Sequence, residues 1–257
     1  MQILSQQIIH QNRCLVLSVG GTVWKIPISP LTWAEAGQEK NIIGEVTKDA
    51  HFSKYLPSYK FLLNIATTAY MKNLAKIGRQ EYEMNNYFKQ AFFQNSQWPI
   101  STLYSLPDIR HFEDFVKGYL PDQLQYWKEI LEKLTVRKSS SHGDFHMEHI
   151  MVDSERLYFI DWVLYSVNSS RYFDLINFWI FSQKTAGEPW MEIWKKYVAE
   201  PPVEIHGIQI SAPNFQAYAI WKVAVEVKLL KMRNRLNEQK QRKYLNFILY
   251  LGTVLKS

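Results

Sequence analysis

The 257-residue chain is 47% hydrophobic and 15% aromatic, enough to bury a sizeable core and too apolar for a disordered segment. Its single cysteine, Cys14, excludes an intramolecular disulfide and any cysteine-rich zinc site. The net charge of +6 gathers between Lys222 and Lys243, a stretch read as a solvated helix face because no aromatic platform or nucleic-acid motif accompanies it.

In chain order, the first third reads as strands. Arg13 to Val19 and Thr22 to Ile28 flank Gly20-Gly21, a two-residue hairpin signal, with Cys14 in the first of them as a buried thiol. Pro27 and Pro30 are expected to stop the sheet. From Glu39 to Val46, Ile42, Ile43 and Val46 share one helical face. Phe61 to Ile65 and Thr67 to Met71 complete the strand set. The remainder reads as helices over 80–93, 112–119, 122–134, 172–181, 190–198 and 215–255, with Asp122 as an N-cap and 203–213 as a loop or short extended excursion. The expected division is 1–72, a sheet with one helix, and 73–257, mainly helical. No window approaches the roughly 18 uninterrupted apolar residues of a membrane span. The start, Met1 to Gln6, has neither the basic beginning nor the apolar core of a secretory leader, so the cytoplasm is the expected compartment.

The chemistry concentrates in His142-Gly143-Asp144-Phe145-His146-Met147-Glu148-His149 and in Tyr158-Phe159-Ile160-Asp161-Trp162. Asp144 and Asp161 stand seventeen residues apart, the first in a polar loop after Ser139-Ser140-Ser141, the second at a strand end. Ile150 to Ile160 between them reads as a hairpin that can carry both carboxylates to one cleft. Phosphoryl transfer needs such a pair: one carboxylate orients a hydroxyl and takes its proton, another holds a divalent cation against nucleotide phosphates.

These motifs, with Arg171-Tyr172-Phe173-Asp174-Leu175, resemble the aminoglycoside phosphotransferase and choline kinase group of the protein-kinase-like superfamily. The resemblance is dense over 142–176 and looser over 1–135. It implies an α+β, two-lobed kinase-like fold, with a small antiparallel-sheet lobe before a larger helical one. It implies an ATP- or GTP-dependent kinase acting with Mg²⁺ or Mn²⁺ on a hydroxyl of a small molecule: a sugar, an aminoglycoside-like compound or an amino alcohol. Asp144 takes the place of the base, His142 and Asp174 brace its loop, and Asp161 holds the metal. Lys25, in Thr22-Val23-Trp24-Lys25-Ile26, is similar to the group's phosphate-binding lysine. Its carboxylate partner is Glu39, with Glu35 and Glu45 as fallbacks, and Tyr70 to Asn73 is the expected adenine-contacting hinge.

Two departures leave other readings open. The group's metal-binding asparagine is replaced by His149, an imidazole in place of an amide oxygen. His149 either still ligates the metal, leaves a one-metal enzyme resting on Asp161, or marks a pseudokinase. The stretch expected to cover phosphate, Ser5 to Asn12, has no glycine. A third reading takes His142, His146 and His149 with Asp144 as a transition-metal site of a hydrolase. Trp179, Trp190, Trp194 and Trp221 are read chiefly as core and could alternatively wall an acceptor pocket.

Overall fold

The computed structural model describes residues 14–76, 78–93, 95–153, 156–185 and 187–256, and the backbone of 7–9. The expected mixed fold is present: a small antiparallel sheet comes first and a mainly helical portion follows. Strands β1 (Gln7–Ile9), β2 (Cys14–Val19) and β3 (Thr22–Pro27) are consecutive antiparallel neighbours. Gly20 and Gly21, at φ +57° and +76°, turn β2 into β3, because only a residue without a Cβ takes two successive left-handed positions freely. Cys14 is half-buried on β2, and burial pushes its thiol pKa up.

Pro30 proves to start a helix and not only to end a sheet. Ser29 and Thr32 exchange side-chain and backbone hydrogen bonds in a capping box, and Pro30 occupies the first turn, where its missing N–H costs nothing. Helix α1 therefore spans Pro30–Val46, and Glu39 sits buried in its middle, not at its start. Strands β4 (Lys60–Leu62) and β5 (Ile65–Ala69) turn at Leu63 and Asn64, earlier than the apolar runs suggested, with Leu63 at φ +55°. The sheet order is β1-β2-β3-β5-β4. Strand β6 is the short Lys72–Asn73.

Helix α2 (Gln80–Ala91), strand β7 (Ile100–Thr102), α3 (Ile109–Tyr119) and α4 (Leu124–Lys133) follow. Asp122 does not cap α4. It lies inside a 3-10 turn, Pro121–Gln123, that delivers the chain to Leu124, and no side chain caps the helix. Strand β8 (Thr135–Arg137) pairs with β7, and β9 (Ser139–Ser141) leads into the motif loop. The hairpin read from sequence is formed by β10 (Ile150–Asp153) and β11 (Arg156–Phe159), in register from Ile150↔Phe159 to Asp153↔Arg156; its tip, 154–155, lies outside the described residues. β10 also pairs with β6. Strand β12 (Ser166–Ser169) then pairs with β9.

The C-terminal helices are α5 (Arg171–Ser182), α6 (Trp190–Tyr197), α7 (Ala212–Met232) and α8 (Glu238–Val254). The excursion before α7 is a tight hairpin, β13 (Glu204–Ile205) and β14 (Ile208–Gln209), turning at His206 and Gly207 with φ +51° and +79°. The single helix expected over 215–255 is two: Asn234 turns left-handed at φ +50° and Asn237 caps α8 through Lys240 N–H.

The described residues up to Glu83, together with 142–165, form one compact unit, holding the five-stranded sheet, α1, β6 and the β10–β11 hairpin. Residues 84–141 and 166–256 belong to a second, mostly helical unit. Its core is aromatic: Trp194 stacks on Phe215 and Trp221 on Phe173. Trp190, Trp194 and Trp221 are buried there, as core residues, while Trp179 is partly exposed. Among the described residues no helix is long and apolar enough to cross a membrane.

Candidate active site

Gly143 sets the motif loop. It sits at φ +86°, and a Cβ there would lie 2.3 Å from the Leu164 carbonyl oxygen. The loop can therefore press against the backbone at Leu164 only with glycine at this position. His142, fully buried, supplies the next constraint. Its Nε2 is 3.0 Å from the Ile160 carbonyl oxygen, and the Asp144 N–H points at its Nδ1 from 3.4 Å. An amide N–H only donates and a carbonyl only accepts, so Nε2 carries the proton and Nδ1 the lone pair. Burial above all, with His149 nearby, lowers the His142 pKa to about 3. One neutral ring thus ties the backbone of Asp144 to the residue preceding Asp161. With both nitrogens so engaged, His142 is not a third histidine beside His146 and His149 for a metal.

Asp161 follows β11 by two residues and takes a left-handed φ of +64°, an uncommon conformation for a side chain other than glycine. His149 lies between the Asp144 backbone and the Asp161 carboxylate. Its Nδ1 is 2.8 Å from the Asp144 carbonyl oxygen and therefore donates. Its Nε2, left with the lone pair, is 3.5 Å from Asp161 Oδ2. A ring held by a carbonyl at one nitrogen and facing a carboxylate with the other has the arrangement of a metal-binding histidine. His146 is buried, with Nε2 3.7 Å from Asp144 Oδ2 and its ring 3.9 Å from that of His149.

Lys25 and Glu39 meet as the sequence spacing suggested, Nζ to Oε2 at 2.7 Å, with Glu39 the partner among the three glutamates considered. Burial works to lower the Lys25 pKa, but Glu39 and then Asp161 outweigh it and hold the ammonium above its ordinary value. Lys25 thus feels the charge of Asp161 as well as that of Glu39, and all three lie in the same compact unit.

Two residues of the site play parts that the sequence did not signal. Tyr59 sits in an irregular segment where a lone aromatic says nothing of role. Burial, then Glu39 and Asp161, push its phenol pKa well up. Asn73, in the expected hinge, turns its amide inward and donates to the carbonyls of Met147, Glu148 and Ile150 at 3.0 to 3.2 Å, while its Oδ1 accepts from Ala75 N–H. It thereby holds the turn that presents His149. Asp174 is wholly buried in the first turn of α5. Of the glycine-free stretch only the backbone of 7–9 is described, as β1; Ser5, Gln6 and 10–12 lie outside the described residues.

Similarity to known proteins bears on the fold. Residues 89–203 match the sequence model of the phosphotransferase enzyme family, a stretch that contains Asp144, His149, Asp161 and Asp174 but not Lys25 or Glu39. The whole fold is similar to that of the choline kinase LicA from Streptococcus pneumoniae, at 15% identity and TM-score 0.57, covering 98% of this chain and 95% of that one. A choline/ethanolamine kinase family protein from Mesorhizobium loti gives 13%, 0.52, 95% and 86%. The GDP complex of a mutant aminoglycoside 2′-phosphotransferase-IIIa gives 12%, 0.52, 100% and 93%. No sequence match is found among curated proteins. The resemblance read from the motifs thus agrees with a family model that matches residues 89–203, and the fold is similar to that of these kinases and phosphotransferases.

Proposed function

We propose that this chain is a phosphotransferase that moves the γ-phosphoryl group of ATP or GTP to a hydroxyl of a small molecule such as a sugar, an aminoglycoside-like compound or an amino alcohol. One observation carries the reading: the His142 ring, and the Ile160 N–H donated to the His149 carbonyl, tie the Asp144 loop to the Asp161 strand end, within the unit that also holds the Lys25–Glu39 pair. Two carboxylates, a braced loop and a paired lysine are the parts phosphoryl transfer needs.

In this scheme Lys25, held by Glu39, contacts the nucleotide phosphates, and the hinge at Tyr70 to Asn73 takes the base. Asp144 orients the acceptor hydroxyl and accepts its proton as that oxygen bonds to the γ-phosphorus and the bond to the β,γ-bridging oxygen breaks. ADP or GDP then leaves. Asp161 and His149 would hold the divalent cation. The donor set, one carboxylate oxygen and one imidazole nitrogen with its far side hydrogen-bonded, fits a dication and suits Mn²⁺ at least as well as Mg²⁺. When bound, the cation supplies neutralisation of phosphate charge.

The test is thermal stability with ATP or GTP, each with Mg²⁺ or Mn²⁺, for wild type and Asp161→Ala. A nucleotide at about a hundred times its Kd adds about 2.7 kcal/mol, and Asp161→Ala should erase that gain. Asp144→Asn should keep it while lowering turnover by about 10²- to 10⁴-fold once an acceptor is found. Absence of any shift with all four pairs would refute the reading. A metal-dependent shift without turnover across a broad acceptor panel would indicate a pseudokinase.

A further inference from the structure

Asp144, His146 and His149 bring one carboxylate oxygen and two imidazole nitrogens within 4.8 Å of one another. The pairs separate as Asp144 Oδ2 to His146 Nε2, 3.7 Å, and Asp144 Oδ2 to His149 Nδ1, 4.0 Å. Ligands of a tetrahedral zinc ion with bonds near 2.1 Å stand about 3.4 Å apart. The remaining pair, His146 with His149, lies within 4.8 Å, so closing the set takes side-chain rotations and release of the His149 Nδ1–H from the Asp144 carbonyl oxygen 2.8 Å away. Two nitrogens and one oxygen, with a fourth position left for water, make a donor set that favours Zn²⁺ or Co²⁺ over Mg²⁺, which demands oxygen and six-fold geometry.

We propose that these three side chains form a site for a zinc-class dication, separate from the nucleotide metal at Asp161, and that an ion bound there stops phosphoryl transfer. The binding rests on geometry alone; the inhibition rests on the phosphotransferase reading, because the ion takes the Asp144 carboxylate that is to accept the hydroxyl proton. His149 makes the two sites exclusive. Neutral imidazole has one lone pair. Ligation through Nε2 faces Asp161 and keeps the Nδ1–H bond to the Asp144 carbonyl; ligation through Nδ1 joins Asp144 and His146 and turns Nε2–H toward Asp161. One ring serves one metal at a time.

The experiment is equilibrium dialysis of the full chain against Zn²⁺ without nucleotide, repeated with Co²⁺ and visible absorption, for wild type, His146→Ala, His146→Gln and Asp161→Ala. A variant enters the comparison only if it shows a cooperative thermal transition. Expected are one tight Zn²⁺ per wild-type chain and a low-symmetry Co²⁺ spectrum. Both should weaken at least tenfold in the His146 variants and persist in Asp161→Ala. Wild-type affinity in both His146 variants, or loss in Asp161→Ala equal to theirs, would overturn the site. Once an acceptor is known, Zn²⁺ should inhibit wild type at a concentration at least tenfold below that needed for His146→Ala, each measured against its own uninhibited rate. Equal sensitivity would overturn the inhibition. A chain that binds Zn²⁺ through His146 yet never binds nucleotide would keep the site and refute the phosphotransferase reading instead.

Discussion

Replacing His142 by asparagine exposes the energetics of the brace between the two carboxylate strands. Burial lowers the His142 pKa to about 3 in the folded chain, against 6.5 for a free imidazole. The folded state therefore binds this proton less readily than the unfolded one, so stability is full above about pH 6.5 and declines as pH falls toward about 3. Each pH unit inside that window costs about 1.4 kcal/mol, which gives about 2 kcal/mol by about pH 5. Asparagine offers a donor and an acceptor of shorter reach but cannot be protonated. Urea denaturation of both proteins at about pH 8 and about pH 5 yields two free energies each, and the quantity of interest is the difference of differences. Contributions from groups unaffected by the substitution cancel, as does any constant cost of the imperfect replacement. Wild type should lose about 2 kcal/mol more than the variant over this range. Parallel losses, within about 0.5 kcal/mol, would show that His142 takes up a proton in the folded state and would refute the brace as a permanently neutral ring.

Two further substitutions probe the site. Gly143→Ala forces a Cβ to within 2.3 Å of the Leu164 carbonyl oxygen and 2.6 Å of its Cβ, at a positive φ that L-residues resist, so it should cost about 3 kcal/mol or more in urea denaturation. A cost under about 1 kcal/mol would mean that the loop does not press on Leu164. Glu39→Gln leaves Lys25 without its anionic partner, and titration calorimetry should show nucleotide binding weakened about tenfold, the scale of one charge-assisted hydrogen bond at a partly exposed lysine; unchanged affinity would remove the pair from the phosphate site.

Much of this arrangement was legible because its signals are local. Gly20-Gly21 and the alternation around Lys25 specify a hairpin, and the apolar triplets around residues 154–155 specify another. The pairing of Lys25 with Glu39 was legible through the family resemblance, in which the phosphate-binding lysine takes a carboxylate partner. What escaped depends on longer range or on subtler punctuation. Pro30 looks alike whether it ends a strand or opens a helix, and Ser29 with Thr32 was the deciding capping signal. Asn234 and Asn237 break a long apolar periodicity that by itself reads as continuous helix. Tyr59 gave no signal, and Asn73, though inside the expected hinge, gave none of its bonds to 147–150, because those partners lie far along the chain and no spacing rule connects them.

Asn73 is a coupling pin. Its one amide grips three backbone carbonyls on either side of His149, and it belongs to the segment proposed to take the nucleotide base. Displacing that segment by an ångström drags the imidazole along with it. Compounds that differ only in how they fill the purine slot should therefore differ in the metal they tolerate, and a screen run with a single cation would mis-rank them.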